Sequence, residues 1–124
     1  MRWKQIEDEP KTVVLVFKTG DEIASLLQQF SKEQALGGSS FKAIGALSYA
    51  KLSWFKWETK KYEPACVLDE QAELLSLIGD VALKDGEPQM HAHAIVGRPD
   101  GIAVHRLLQR SASESGRLCC GDGA

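Results

Sequence analysis

All three histidines of this 124-residue chain fall in one stretch, Gly86 to Leu108: G-E-P-Q-M-H-A-H-A-I-V-G-R-P-D-G-I-A-V-H-R-L-L. His91 and His93 are two positions apart, and His105 follows twelve residues later. Alternate side chains of a strand share a face and lie roughly 7 Å apart, so these two imidazoles point the same way. Between them and His105 stands Gly97-Arg98-Pro99-Asp100-Gly101, whose proline, glycines and Asp-Gly pair make a turn. Short apolar runs flank it, and the stretch reads as a hairpin. The returning strand can bring His105 to the same face. Three convergent imidazoles are a metal site short of a fourth ligand. Imidazole suits Zn, Cu, Fe or Ni, and zinc is the first expectation. Water or a carboxylate would complete the set, with Glu87 and Asp80 nearby in sequence. The plainer alternative is three sheet histidines hydrogen-bonded to backbone or carboxylates.

A zinc with an open position would lower the pKa of its water to about 7 and make a nucleophile of it. Glu87 or Asp80 would then be the general base. The rest of the sequence argues against catalysis. It has no H-E-x-x-H, no second metal cluster and no nucleophile elbow. Ser48 and Ser76 have no base at an identifiable spacing. The reading leans away from an enzyme and assigns no catalytic residue.

The elements that must position the histidines begin with Lys11 to Phe17, where T-V-V-L-V-F reads as a strand buried on both faces. Thr19-Gly20-Asp21-Glu22 then predicts a helix start, with Thr19 as N-cap and Glu22 closing a capping box. Ile23, Leu26, Leu27 and Phe30 form one apolar helix face, and Gly37-Gly38 is the expected stop. Ser39 to Trp57 reads as two strands with a bend or bulge at Gly45. Trp54, Phe55 and Trp57 are expected in the core or at a subunit interface. Glu58-Thr59-Lys60-Lys61 is a polar hairpin tip, and Tyr62 to Leu68 a returning strand. Asp69 to Ile78 is rich in helix formers, and propensity alone makes it a helix. Lys84-Asp85-Gly86 is a turn. From Ser111, S-A-S-E-S-G-R-L-C-C-G-D-G-A has no apolar period and reads as a disordered tail.

One domain is expected from the length. The chain is 44% hydrophobic and 26% charged, which is ordinary for a globular protein. No run approaches the ~20 apolar residues of a membrane span. No apolar leader follows Met1, and a cytoplasmic protein is expected. The three cysteines, two of them adjacent, make no disulfide framework; Cys66 reads as a small core residue. The net charge of −2 lacks the basic excess of a phosphate-gripping domain. Lys56, Lys60 and Lys61 are the densest basic cluster, read as solvating a hairpin tip beside Glu58 and Glu63, with base stacking by the neighbouring aromatics a remote option.

Several stretches together resemble the PPC domain, the plant and prokaryote conserved domain. They are V-V-L-V-F at 13–17 with G-D-E-I at 20–23, S-F-K-A-I-G-A-L-S-Y-A-K-L at 40–52, W-F at 54–55 with K-Y at 61–62, L-L-S-L-I-G-D-V-A-L at 74–83, and H-A-H-A-I-V-G-R-P-D-G at 91–101. The resemblance covers roughly residues 10 to 109. It implies an α/β (α+β) fold, a mostly antiparallel sheet with one main helix packed on it, assembled as a homotrimer. It also turns the expectation for 71–83 from helix to strand. Family members in plants carry AT-hooks in nuclear proteins. The stand-alone prokaryotic type is commonly labelled DNA-binding. The implied function is a small binding or regulatory protein acting on DNA, weakly and non-specifically alone or through a DNA-binding partner. The rival is a metal-dependent enzyme or small-ligand sensor using His91, His93 and His105.

Two departures bear on the site. The family usually has two glycines before its third histidine, where this chain has Ala103-Val104. The family then ends in a strand of the form R-P-x-L-E-V-V-V-T-E. Residues 110 to 124 do not match it, but codons for them can be chosen whose next reading frame spells N-L-E-D-C-V-V-V-T-E. The expected division is therefore a domain over 1–109 and a disordered or non-native tail over 110–124.

Overall fold

The computed structural model describes the backbone of residues 1–8 and 11–121, and the side chains of residues 1–6 and 11–106. Seven strands and one helix follow in the order β1 (Arg2–Asp8), β2 (Lys11–Phe17), α1 (Ile23–Glu33), β3 (Gly38–Lys56), β4 (Lys61–Leu68), β5 (Ala72–Lys84), β6 (Glu87–Gly97) and β7 (Ala103–Gly121). All pairings are antiparallel, and the sheet runs β1-β2-β7-β6-β5-β3-β4. β7 pairs with β6 over its first residues and with β3 over most of its length. Since β3 also pairs with β5, and β5 with β6, these four strands close into a ring. The expected α+β fold with a mostly antiparallel sheet and one main helix is what forms.

Two hairpins set the register around the ring. Asp85 and Gly86 both take positive φ, 52° and 80°, and join Lys84 to its partner Glu87. Both central residues of a type I′ turn need that conformation, and it matches the twist of the flanking strands. At the far end of β6, Gly101 N–H donates to the Arg98 carbonyl (3.0 Å) and Arg98 N–H to the Ile102 carbonyl (2.8 Å). Gly101 has φ +83°, and Asp100 accepts from Ile102 N–H at 2.9 Å. The predicted turn is thus built from the residues that predicted it. Ala72–Lys84 is strand, as the resemblance implied and propensity did not. Its buried face carries Ala72, Leu74, Leu77 and Val81.

The core joins Val13, Leu15 and Phe17 of β2 to Ile23, Leu27 and Phe30 of α1 and to Leu47, Ala50 and Leu52 of β3. Alternate residues of β6, Ala92, Ala94 and Val96, face into it. The helix starts differently from its sequence reading. Glu22, not Thr19, is the N-cap, and its carboxylate accepts from Ser25 N–H at 2.6 Å. Asp21 is committed elsewhere, accepting from Lys18 N–H (2.9 Å) and pairing with the N-terminal ammonium (2.8 Å). The stop also comes earlier than Gly37. Ala35 takes φ +50°, Leu36 N–H donates to the Ser31 carbonyl and Ala35 N–H to that of Lys32. That is a Schellman ending with alanine in the usual glycine position.

Two further expectations change. Ser39 to Trp57 is not two strands, because β3 runs unbroken from Gly38 to Lys56; the irregularity near Gly45 is a shift of register against β5. Of the two places expected for the tryptophans, core or subunit interface, the core is ruled out: Trp54 and Trp57 stand exposed at the β3–β4 hairpin. The backbone of 110–121 pairs with β3 and, from Gly116 to Gly121, with β2. Ladder hydrogen bonds use only the main chain, so a segment without apolar alternation can still be paired on both edges. Residues 122–124 of that tail lie outside the described residues.

Candidate functional site

Directly opposed residues of an antiparallel ladder share a face, so the registers place the histidines in rows. One row is Ser40–Asp80–His91, the next Lys42–Ile78–His93, and a third Ser76–Ile95–His105. All three imidazoles therefore lie on the outward face of the ring, since the intervening Ala92, Ala94 and Val96 are buried. Each histidine is exposed.

His91 and His93 are brought into contact. Their Nε2 atoms stand 3.1 Å apart and the rings meet edge to face at 65°. In the absence of a third group, one Nε2 carries the proton and the other accepts it. With both bare, the same separation suits a shared cation. Two nitrogens at 2.0–2.1 Å from a tetrahedral zinc stand about 3.3 Å apart. His105 lies one row beyond His93 and one strand over. Diagonal neighbours of this kind are about 7–8 Å apart, still within reach of long side chains. Arg106 holds it on the far side, with Nη1 3.4 Å from His105 Nδ1 and 3.1 Å from the His105 carbonyl. Of the two carboxylates named from sequence, Asp80 is the ladder partner of His91 and shares its face, while Glu87 lies at the start of β6. Among the described residues, no three His, Cys, Asp or Glu side chains are gathered tightly enough to hold a metal ion. The donor chemistry fits a metal in its His91–His93 half; His105 and Asp80 are on the right face but apart.

One supporting residue escapes sequence reasoning. From Ala92 back to Glu87, β6 has no ladder partner among the described residues on its β7 side, because β7 turns away to β3. Gln28 of α1 fills the place of that strand. Its amide donates to the Pro88 carbonyl (2.7 Å) and accepts from Met90 N–H (2.9 Å), mimicking a ladder pair next to His91. No local pattern links residues 60 positions apart. The other end of the hairpin is tied by Arg98 Nε to Glu70 Oε1 at 3.1 Å, an exposed pair worth at most about 1 kcal/mol. A cleft of about 570 Å³ opens there, lined by Glu73, Leu75, Arg98 and Pro99 among others, and no histidine lines it.

The comparisons agree with this architecture. The Plants and Prokaryotes Conserved domain model matches residues 5–108. A crystal structure of a candidate DNA-binding protein from Bacteroides thetaiotaomicron is 26% identical, with 99% of this chain and 84% of that one covered and a TM-score of 0.90. A plant- and prokaryote-conserved protein from Pyrococcus horikoshii is 28% identical over 98% and 81%, with a TM-score of 0.84. A metal-containing protein from Archaeoglobus fulgidus shares the fold at 24% identity over 98% and 82%, with a TM-score of 0.82. No curated protein matches. With the family model spanning most of its length, the chain belongs to the Plants and Prokaryotes Conserved domain family.

Proposed function

We propose that this chain is a small binding module that associates with DNA, as a homotrimer and in a regulatory role. The observation that carries the reading is the family match, joined to the likeness to the Bacteroides candidate DNA-binding protein over nearly the whole chain. The charge limits how it binds. At a net −2, it lacks the basic excess that grips phosphates, so duplex binding by the chain alone is weak and non-specific, near ~10⁻⁴–10⁻⁶ M at physiological salt. A DNA-binding partner would supply the rest. Trimer formation is supported by the outward face of the ring, where Ile44, Ile78 and Ile95 are 65%, 64% and 43% exposed beside the histidines. The test is duplex binding across a salt series, with sedimentation for the mass. Weak binding that falls steeply with salt, by a species of three chains, is expected. A tight, competitor-resistant complex would refute the weak-binding part, and no binding even at low salt would remove the DNA reading.

A second reading is favoured by the 3.1 Å separation of His91 and His93 Nε2. It makes this face a metal site, zinc first, with His105 as third ligand and Asp80 or water as fourth. The Archaeoglobus protein of the same fold is described as metal-containing, which is in keeping with it. A bound metal would supply a Lewis acid or a structural clamp. The chain's own residues would orient it, His91 and His93 from one strand and His105 from the next.

A further inference from the structure

We propose that the β3–β4 hairpin tip is a stacking surface for single-stranded nucleic acid, with Trp57 as the platform. This deepens the DNA-association reading and rests on it. The observation is a ladder of rings that no core residue covers. Phe55 and Tyr62 are ladder partners, with centroids 5.2 Å apart and planes at 61°. Trp57 continues the ladder from Phe55 at 5.7 Å and 78°. It is 74% exposed, and Tyr62 is 49% exposed. Lone surface aromatics need no explanation, but a contiguous set ending in the largest apolar side chain marks a binding surface.

The charges around the rings select the partner. Lys60 Nζ stands 5.2 Å from the Trp57 centroid. On the opposite face of the hairpin from Phe55 and Tyr62, Lys56 is directly opposed to Lys61, an arrangement of like charges that costs stability unless an anion lies between or beside them. Glu63 offsets Lys56 only loosely, at 3.7 Å. Lys60 beside the Trp57 ring, with Lys56 and Lys61 on the reverse of the same tip, puts cations within reach of exposed rings, the combination that holds a phosphate backbone while bases stack. A duplex has no free base faces to offer, so the occupant is a single strand. DNA and RNA present the same chemistry to such a surface.

The experiment measures anisotropy of labelled dT15, rU15 and a duplex of matched length with the full chain at about 50 mM salt. Binding of the single strands is expected, DNA and RNA being distinguished by which is tighter. Trp57→Ala should weaken it about tenfold, Trp57→Phe should retain most of it, and duplex binding should be unchanged. Lys60→Ala should lower the salt slope by about 0.7. If Trp57→Ala binds single strands as well as wild type, the surface is wrong while DNA association stands. If wild type binds duplex only, the inference is overturned, and if it binds neither, both readings fall. A change of sedimenting mass in Trp57→Ala would show that the tip is a subunit contact and also overturn it.

Discussion

Gly79 lies under the ring of Phe41 and against the carbonyl of His91, so that a Cβ at position 79 would collide with both. The glycine lets a core aromatic and the histidine strand share one slot in the sheet. Gly79→Ala should therefore cost about 3 kcal/mol, as overpacking of a filled core does. Phe41→Leu should relieve part of that cost, since it removes the ring but not the carbonyl. Urea unfolding of the two single variants and the double variant measures the coupling. A Gly79→Ala variant as stable as wild type would show that this slot has room to open.

The histidine hairpin was legible because its turn is written locally: Asp100 and Gly101 each serve the conformation their chemistry suggests. β5 was legible only through family resemblance. Its Ala, Glu and Leu content favours helix, and what makes it strand is two neighbours, β3 and β6, which local propensity does not register. β1 went unread for a similar reason. Arg2–Asp8 has no clean alternation, and its partner is β2. For the site, sequence named the face but not the geometry. It put His91 and His93 side by side and left open the row to which His105 returns. Gln28 was invisible, because its role exists only where β7 departs from β6.

The helix end offers a test of backbone strain. Ala35 holds the left-handed conformation at φ +50°, which costs an L-residue with a Cβ roughly 1–2 kcal/mol. Glycine removes that cost and adds some unfolded-state entropy. Ala35→Gly should gain about 0.5–1 kcal/mol in denaturant melts, with the Schellman bonds kept. A loss would mean that the methyl group contributes packing that outweighs the strain.

Asp21 sets an acid limit on stability. The N-terminal ammonium, and next the Lys18 N–H, hold its carboxyl below the ordinary value of 3.8. The unfolded chain therefore binds the proton more readily than the folded one. Stability from this group is complete above the unfolded value and is lost as pH falls through the lower folded value. Asp21→Asn should be less stable than wild type at pH 6, and the gap should narrow below the ordinary value of 3.8 and close once the pH has fallen through the lower folded value. Denaturation midpoints at both ends of that range decide it; a gap independent of pH would assign the effect to something other than the charge.

The non-native ending expected from the sequence for residues 110–124 can be tested on the last strand. Its backbone pairs with both β2 and β3 through Gly121, a central position suited to β-branched residues. A chain carrying N-L-E-D-C-V-V-V-T-E in this place should melt several degrees higher, about the effect of 1–2 kcal/mol in a domain of this size. Coding DNA whose next frame does not spell that segment would remove the motive.

The metal reading predicts an order among the histidines. His91 and His93 already stand at a ligand–ligand separation, whereas His105 must turn from Arg106 to join them. In equilibrium dialysis against zinc, His91→Ala and His93→Ala should each lose at least tenfold in affinity, and His105→Ala less. All three rings are exposed, so the variants should keep the wild-type melting temperature without metal. With zinc at a hundredfold excess over the wild-type Kd, wild type should be stabilised by about 2.7 kcal/mol, His105→Ala by somewhat less, and His91→Ala and His93→Ala by at most about 1.4 kcal/mol. Acidification should release the metal, because protons compete for the same nitrogens. Arg106→Ala frees His105 without touching a ligand, and should raise the affinity if the third imidazole completes the site. Equal zinc uptake by wild type and the His91→Ala/His93→Ala double variant would return these histidines to a purely structural role.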